Sequence, residues 1–273
     1  MARRSIACGL TLVLAFCGIQ LAAAADLPAA TPVYKAAPSV APYNWTGFYI
    51  GGNLGYSWGR ADTGTDITGF LGPTSTLVHS DALKLNGAVG GGQIGYNWQV
   101  SPNWVYGLEA DWQGSSENGG VNHNDPYSLV VPGIGIITSG TLTTNAEAKI
   151  SWFGTVRGRI GYAWDHLLIY GTGGLAYGGV RLSGTAMDSG TFFAGTYSGT
   201  SPFSASRVNA GWTAGAGIEG ALASSWTWKI EYLYLDLGSL NFSGLGPFSY
   251  ETVTAHARFN DNIVRAGLNF QFH

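Results

Sequence analysis

The 273-residue chain is lean in charge: 11% of its residues are Asp, Glu, Lys or Arg, against about 25% in ordinary soluble domains. Its formal net charge is −3, with 42 Gly, 10 Trp and 14 Tyr. This balance excludes the basic surface that a nucleic-acid partner needs, and past the N-terminal segment no run reaches the ~18 apolar residues of a transmembrane helix.

Residues 1–25 read as a secretory signal peptide. Arg3 and Arg4 open it, Ile6 to Leu21 form the apolar stretch, and Ala23-Ala24-Ala25 offers a small-residue cleavage site before Asp26. The only two cysteines, Cys8 and Cys17, fall inside this segment, and the bulky Phe16 does not fit a lipoprotein cleavage site. The mature chain is therefore expected to have neither disulfides nor a catalytic thiol. It would keep 11 basic and 16 acidic residues, a formal charge of −5. Residues 26–43, with Pro28, Pro32, Pro38 and Pro42, read as an extended periplasmic leader.

Residues 44–273 read as one domain built from eight strands, at about 44–59, 86–100, 104–113, 149–164, 166–181, 207–221, 226–237 and 262–272. Residues 104–113 show the period most clearly. Trp104, Tyr106, Leu108, Ala110 and Trp112 alternate with Val105, Gly107, Glu109, Asp111 and Gln113. Period two means a strand with unlike faces. An aromatic-ended apolar face opposite a charged, glycine-rich one suits a strand separating lipid from a polar lumen. Even-numbered residues carry the apolar set in nearly every segment. In the fifth, Leu167, Ile169, Leu175 and Tyr177 fall on the other parity, and its faces stay unassigned.

The connections alternate in length. Ser101-Pro102-Asn103, the turn at Asp165 and Ala223-Ser224-Ser225 are short, whereas 60–85, 114–148, 182–206 and 238–261 read as long polar loops. The asymmetry predicts an all-β, eight-stranded antiparallel up-and-down transmembrane β-barrel. Its short turns and both termini would be periplasmic and its long loops extracellular. In that threading Trp45, Trp98, Trp104, Trp164, Trp226, Trp228 and Phe272 belong to a periplasmic aromatic girdle. Trp58, Trp112 and Trp152 belong to an outer one. A soluble lipocalin-like barrel would instead crowd its aromatics on one buried face at mid-strand.

The wet faces carry Glu109, Asp111, Glu219 and Glu231 with Arg157, Arg159, Lys229 and Arg265. Buried charges are tolerated when paired. The expected partners are neighbours: the acids of strand three with the arginines of strand four, Glu219 with Lys229, and Glu231 with Arg265. Eight strands enclose a space that side chains can largely fill. The set therefore reads as a salt-bridged plug, or as a charged constriction passing small ions.

No catalytic site, cofactor or metal is expected. Glu109 and Asp111 each have an arginine within reach, and His79, His123, His166, His256 and His273 are scattered through loops and the tail. Gly90-x-Gly92-x-x-Gly95 and Gly215-x-Gly217-x-x-Gly220 match the dinucleotide spacing. Both lie inside strands, without the helix start that would receive a pyrophosphate.

The run Tyr43-Asn44-Trp45-Thr46-Gly47-Phe48-Tyr49-Ile50-Gly51-Gly52-Asn53-Leu54-Gly55-Tyr56 resembles the opening of the small outer-membrane β-barrel family of alphaproteobacteria, which includes rhizobial-type surface antigens. Residues 154–162, 170–178 and 229–234 add to the similarity, which spans about 43–272. The resemblance implies an OmpA-type, porin-like barrel with no catalytic residues to carry over. Its expected partners are outer-membrane lipid, lipopolysaccharide and the barrel-assembly machinery. Such barrels usually end on an aromatic, and here His273 follows Phe272; no peptidoglycan-binding domain is expected after the barrel. Three functions remain open: a structural envelope protein with a plugged lumen, a low-conductance porin, and a surface adhesin or receptor whose loops hold an unidentified ligand.

Overall fold

The computed structural model describes residues 43–68, 76–131, 133, 135–193, 195–247 and 251–272. The expected signal peptide, all of the leader except Tyr43, and His273 lie outside the described residues. Eight antiparallel strands close into a barrel in chain order. They are β1 (Gly47–Thr68), β2 (Thr76–Gln99), β3 (Trp104–Val131), β4 (Gly135–Trp164), β5 (Leu167–Phe192), β6 (Gly195–Ala221), β7 (Trp226–Leu245) and β8 (Thr252–Phe272). β8 pairs back onto β1 from Phe48↔Phe272 to Thr68↔Thr252, so the ring has no open edge there.

The three short turns fall where expected, between β2 and β3, β4 and β5, and β6 and β7. The four polar stretches do not form long loops. Most of 60–85, 114–148, 182–206 and 238–261 is strand continuing the barrel strands. The reason is a change of polarity along each strand. Near the short turns the outward face is apolar and the inward face charged or amide-bearing. Farther up, small and branched apolar residues point inward and Ser, Thr, Asn and Gly point outward, so the stretch scores as polar although one face is buried.

Two register shifts help the change. In β4 the pairing slips between Ile150 and Trp152. Phe153, Thr155, Arg157 and Arg159 are buried below the slip, and Ile150, Ala148 and Ala146 above it. A β-bulge reverses which parity faces in. In β7 the slip lies between Asp236 and Gly238. Gly238 there has φ +70°, a left-handed conformation that glycine adopts without a Cβ penalty. The face of the fifth strand is settled by burial: Leu168, Tyr170 and Ala176 point in, whereas Ile169 and Leu175 point out.

The upper part of the ring divides. Pairing between β2 and β3 stops at Asn86↔Asn118, and between β6 and β7 at Trp212↔Asp236. The remaining ladders run on to the hairpin ends. Two four-stranded sheets result, β7-β8-β1-β2 and β3-β4-β5-β6, with an apolar core between their inner faces. Leu83, Leu240 and Phe259 of the first sheet join Ala148, Leu182 and Phe203 of the second in that core. Side chains bridge the seams where the ladders end. Ser116 Oγ accepts from Ala88 N at 3.0 Å and donates to Ala88 O at 3.2 Å. His123 contacts Asp81 at 2.7 Å, and Asn209 Nδ2 donates to Ser239 O at 3.0 Å.

Glycine lets adjacent strands crowd inside the bore. A Cβ on Gly91 would sit 1.9 Å from Trp112 O and 2.9 Å from Gln113 Cα. Both are backbone atoms that cannot swing aside. Gly91→Ala is therefore expected to lower stability by about 1–3 kcal/mol, read from the urea midpoint in lipid or micelles. The outward Gly52, whose nearest neighbour to an added Cβ is Gly91 O at 3.8 Å, should accept alanine with no measurable loss.

Candidate functional site: a charged layer across the bore

The eight charged residues read from the wet faces are all at most 5% exposed and meet in one layer. Glu109 is its hub. Its carboxylate contacts Arg157, Lys229 at 2.9 Å, Arg265 at 3.5 Å and Arg159 at 3.6 Å. Arg157 also reaches Asp111 at 3.1 Å and Glu231 at 3.0 Å. Arg265 reaches Asp111 at 2.8 Å and Glu231 at 2.6 Å. Arg159 binds Glu219 at 2.5 Å. Four acids thus face four bases, and the layer is neutral as a unit.

The expected neighbour pairs hold in part. Strand-three acids do meet Arg157, and Glu231 meets Arg265. Glu219 and Lys229 are register partners, yet Lys229 crosses the bore to Glu109 and Glu219 turns to Arg159. Local spacing shows which side chains enter a lumen. Only ring closure determines which of them meet across it.

Further side chains complete the layer. Tyr49 donates to Glu109 at 2.7 Å and accepts from Arg159 at 3.1 Å. Tyr170 donates to Glu231 at 3.1 Å, and its ring lies 4.2 Å from the Arg159 guanidinium carbon. Glu219 also accepts from Thr227 at 2.6 Å and Asn269 at 2.9 Å. The amides of Gln93, Asn53 and Asn269 form a linked set beside it. Tyr49 left a trace in the sequence, as an aromatic on the wet parity of β1; Tyr170 sat on the strand whose faces were unassigned.

Apolar layers close the bore on both sides of the charges. Below lies a cluster of Tyr43, Trp45, Val105, Ala163, Leu168 and Tyr170. This overturns one girdle assignment: Trp45 is fully buried, 4.8 Å from the Tyr43 ring. The segment before β1 packs into the barrel mouth, where Gln99 Oε1 accepts from Trp45 N at 2.9 Å, so period-two parity does not govern it. Above lies the core of the two sheets.

The other girdle residues point out. Trp58, Trp98, Trp104, Trp112, Trp164, Trp226 and Phe272 are exposed, and Trp152 and Trp228 are half-buried. They form contact pairs near the short turns, such as Trp104–Tyr162 at 5.6 Å and Trp226–Phe270 at 5.2 Å. Farther up, Trp152–Tyr177 at 6.1 Å and Trp212–Tyr234 at 5.2 Å repeat the arrangement. A groove of about 950 Å³, lined by residues such as Ile50, Leu54, Trp226, Ile230 and Phe270, opens on this oily outer face.

Comparison with known proteins agrees with this architecture. Residues 11–272 match the family model described as outer membrane protein beta-barrel domain. The chain is 38% identical over 260 residues to the 31 kDa outer-membrane immunogenic protein of Brucella melitensis biotype 1, covering 92% of this chain and 93% of that one. It is 30% identical over 230 residues to a 22 kDa outer membrane protein of Rhizobium leguminosarum bv. viciae, covering 84% and 79%. Among solved structures, the outer membrane protein OprG of Pseudomonas aeruginosa aligns at 12% identity and a TM-score of 0.43, covering 85% and 98%. With its closed eight-stranded ring and its match along nearly the whole length, the chain belongs to the outer membrane protein β-barrel family.

Proposed function

We propose that this protein is a non-conducting pedestal that holds a rigid two-sheet recognition surface above the outer membrane. It is a structural outer-membrane barrel with periplasmic termini, not an enzyme. The observation that carries the reading is the reversal of polarity along the strands. Oily residues face out between the two aromatic rings, and above the outer ring the oily residues face in. A strand crossing lipid needs the first arrangement, and a body standing in water needs the second.

In this reading the exposed tryptophans and Phe272 are the membrane girdles. The lipid-crossing stretches lie between them: 48–58, 86–98, 104–112, 152–164, 167–177, 212–220, 226–234 and 262–272. About ten residues per crossing at ~3.3 Å each, tilted near 40°, give a band of about 25 Å. Beyond Trp112, β3 runs on to Val131, which is on the order of 60 Å of strand at that rise. These extensions, rather than long loops, would form the extracellular part, with lipid and lipopolysaccharide around its foot. Residues 1–25 would be removed on export, 26–42 would remain as a periplasmic leader, and the barrel-assembly machinery would insert the ring. Relatives named as immunogenic outer-membrane proteins favour display at the cell surface, where an adhesin or receptor works.

With no cysteine expected in the mature chain, single cysteines test the topology. On intact cells a membrane-impermeant maleimide should label Ser198→Cys and leave Ala223→Cys unmodified. Equal labelling of both, or labelling of the second alone, would contradict the orientation.

A further inference from the structure

At the neck where the barrel divides into two sheets, two carboxyl groups are buried together with no cationic side chain beside them among the described residues. Glu117 of β3 is 0% exposed and Asp261 of β8 is 1% exposed. Asp261 Oδ2 accepts from the Ser57 hydroxyl of β1, and Oδ1 accepts from Asn262 N at 2.9 Å. Glu117 Oε1 accepts from Ser115 Oγ at 2.8 Å. Glu117 comes to the same place from the other side: it lies beside Gly87 of β2, whose register partner in β1 is Ser57, and its Oε2 has no donor. Ionised carboxylates only accept. Two ionised carboxylates buried side by side repel, one hydrogen removes the repulsion, and the orphaned oxygen is a place to hold it.

The neighbours supply no alternative. Asp261 is flanked on the inner face of β8 by Phe259 and Ile263, and lies opposite Leu235 of β7. Glu117 lies opposite Ile150 of β4. Among the described residues, every base in the bore is engaged lower down. Arg157 and Arg265 bind Asp111, Glu109 and Glu231, while Arg159 and Lys229 bind Glu219 and Glu109. Above, His123 of β3 and Asp81 of β2 hold each other. Asp236 of β7 binds Arg258 and Gly238 N. The inward positions of β5 and β6 near this level carry Ala176, Val180 and Asn209.

We infer that Glu117 and Asp261 form a proton-binding site that ties β1, β3 and β8 together at the neck and lets the two sheets loosen when the proton leaves. Both residues lie just beyond the lipid-crossing stretches. Burial, then the Asp261 charge, pushes Glu117 up to about 8, and burial pushes Asp261 up to about 6. The pair titrates as one system. Because the folded form holds a proton that an opened form has released, the stabilisation is complete below the ordinary carboxylate range. It falls as pH rises toward about 8 and is flat above that. Acidification therefore tightens the neck.

The test uses the full mature protein folded in phosphatidylcholine vesicles. Amide exchange in 61–68 and 252–259, corrected for intrinsic pH dependence, should be at least about tenfold better protected at pH 5.5 than at pH 9. Glu117→Gln should flatten that slope. Infrared spectra should show the carbonyl stretch of a protonated carboxylic acid at pH 7, lost with a midpoint near 8. The band should be missing from Glu117→Gln, and in Asp261→Asn its midpoint should move to lower pH, because the second cause of the upward shift is gone. No such band in the wild type, or an unchanged pH slope in Glu117→Gln, would overturn the proposal. So would a slope that appears only with added Ca²⁺, which would make the pair a cation site instead.

Discussion

Arg157→Ala is expected to be the most damaging single substitution in the barrel. Arg157 is 1% exposed and touches three carboxylates, those of Glu109, Asp111 and Glu231. Its removal leaves the layer with four acids and three bases in a place water does not reach. Breaking a buried ion pair from one side costs about 3–5 kcal/mol, mostly from the charge left behind. At a denaturant slope of about 1–3 kcal/mol per M, the urea midpoint should fall by more than about 1 M. Arg157→Lys keeps the charge but loses the planar fork that reaches several carboxylates at once, so its loss should be smaller. Equal midpoints for wild type and Arg157→Ala would show that the layer is wet and contributes little.

The second large effect should be local. Phe259 is fully buried on β8, between Ala61 of β1 and Gly238 of β7, in the core of the two sheets. Phe259→Ala deletes a ring from a packed apolar site, a change that typically costs about 3–5 kcal/mol. The loss should fall on the sheets above the neck and leave the charged layer intact. Amides in 61–68 and 252–259 should exchange far faster, while those of 104–112 and 226–234 keep their protection. Uniform loss of protection would mean that barrel and sheets unfold as one unit.

The oily and wet faces were legible from spacing because lipid and lumen impose a strong contrast at period two. Trp104 to Trp112 against Val105 to Gln113 needed no structure to read, and the eight residues of the charged layer were identifiable on that basis, whereas the buried Glu117 and Asp261 fall in stretches that read as loops. The extensions were not, since their inward residues are often small. Ala61, Ala146, Ala148, Ala186, Ala255 and Ala257 are buried but barely raise a local hydropathy pattern. The slips at Ile150 and Asp236 then reverse parity in β4 and β7. Trp45 was misplaced for a related reason: it precedes the first ladder, so strand alternation says nothing about it. Partners such as Lys229 and Glu109, 120 residues apart, meet only when the ring closes.

The central claim is that the bore is shut by charged and apolar layers stacked along it. Single-channel recording in planar lipid bilayers tests this most directly. The wild type should insert without steady conducting steps at moderate voltage, while refolded protein from the same preparation shows the gel-mobility shift on heating that marks a closed barrel. Reproducible, long-lived ion-conducting openings in the wild type, widened by Arg157→Ala or Glu231→Ala, would contradict the plug and make the charged layer a pore constriction.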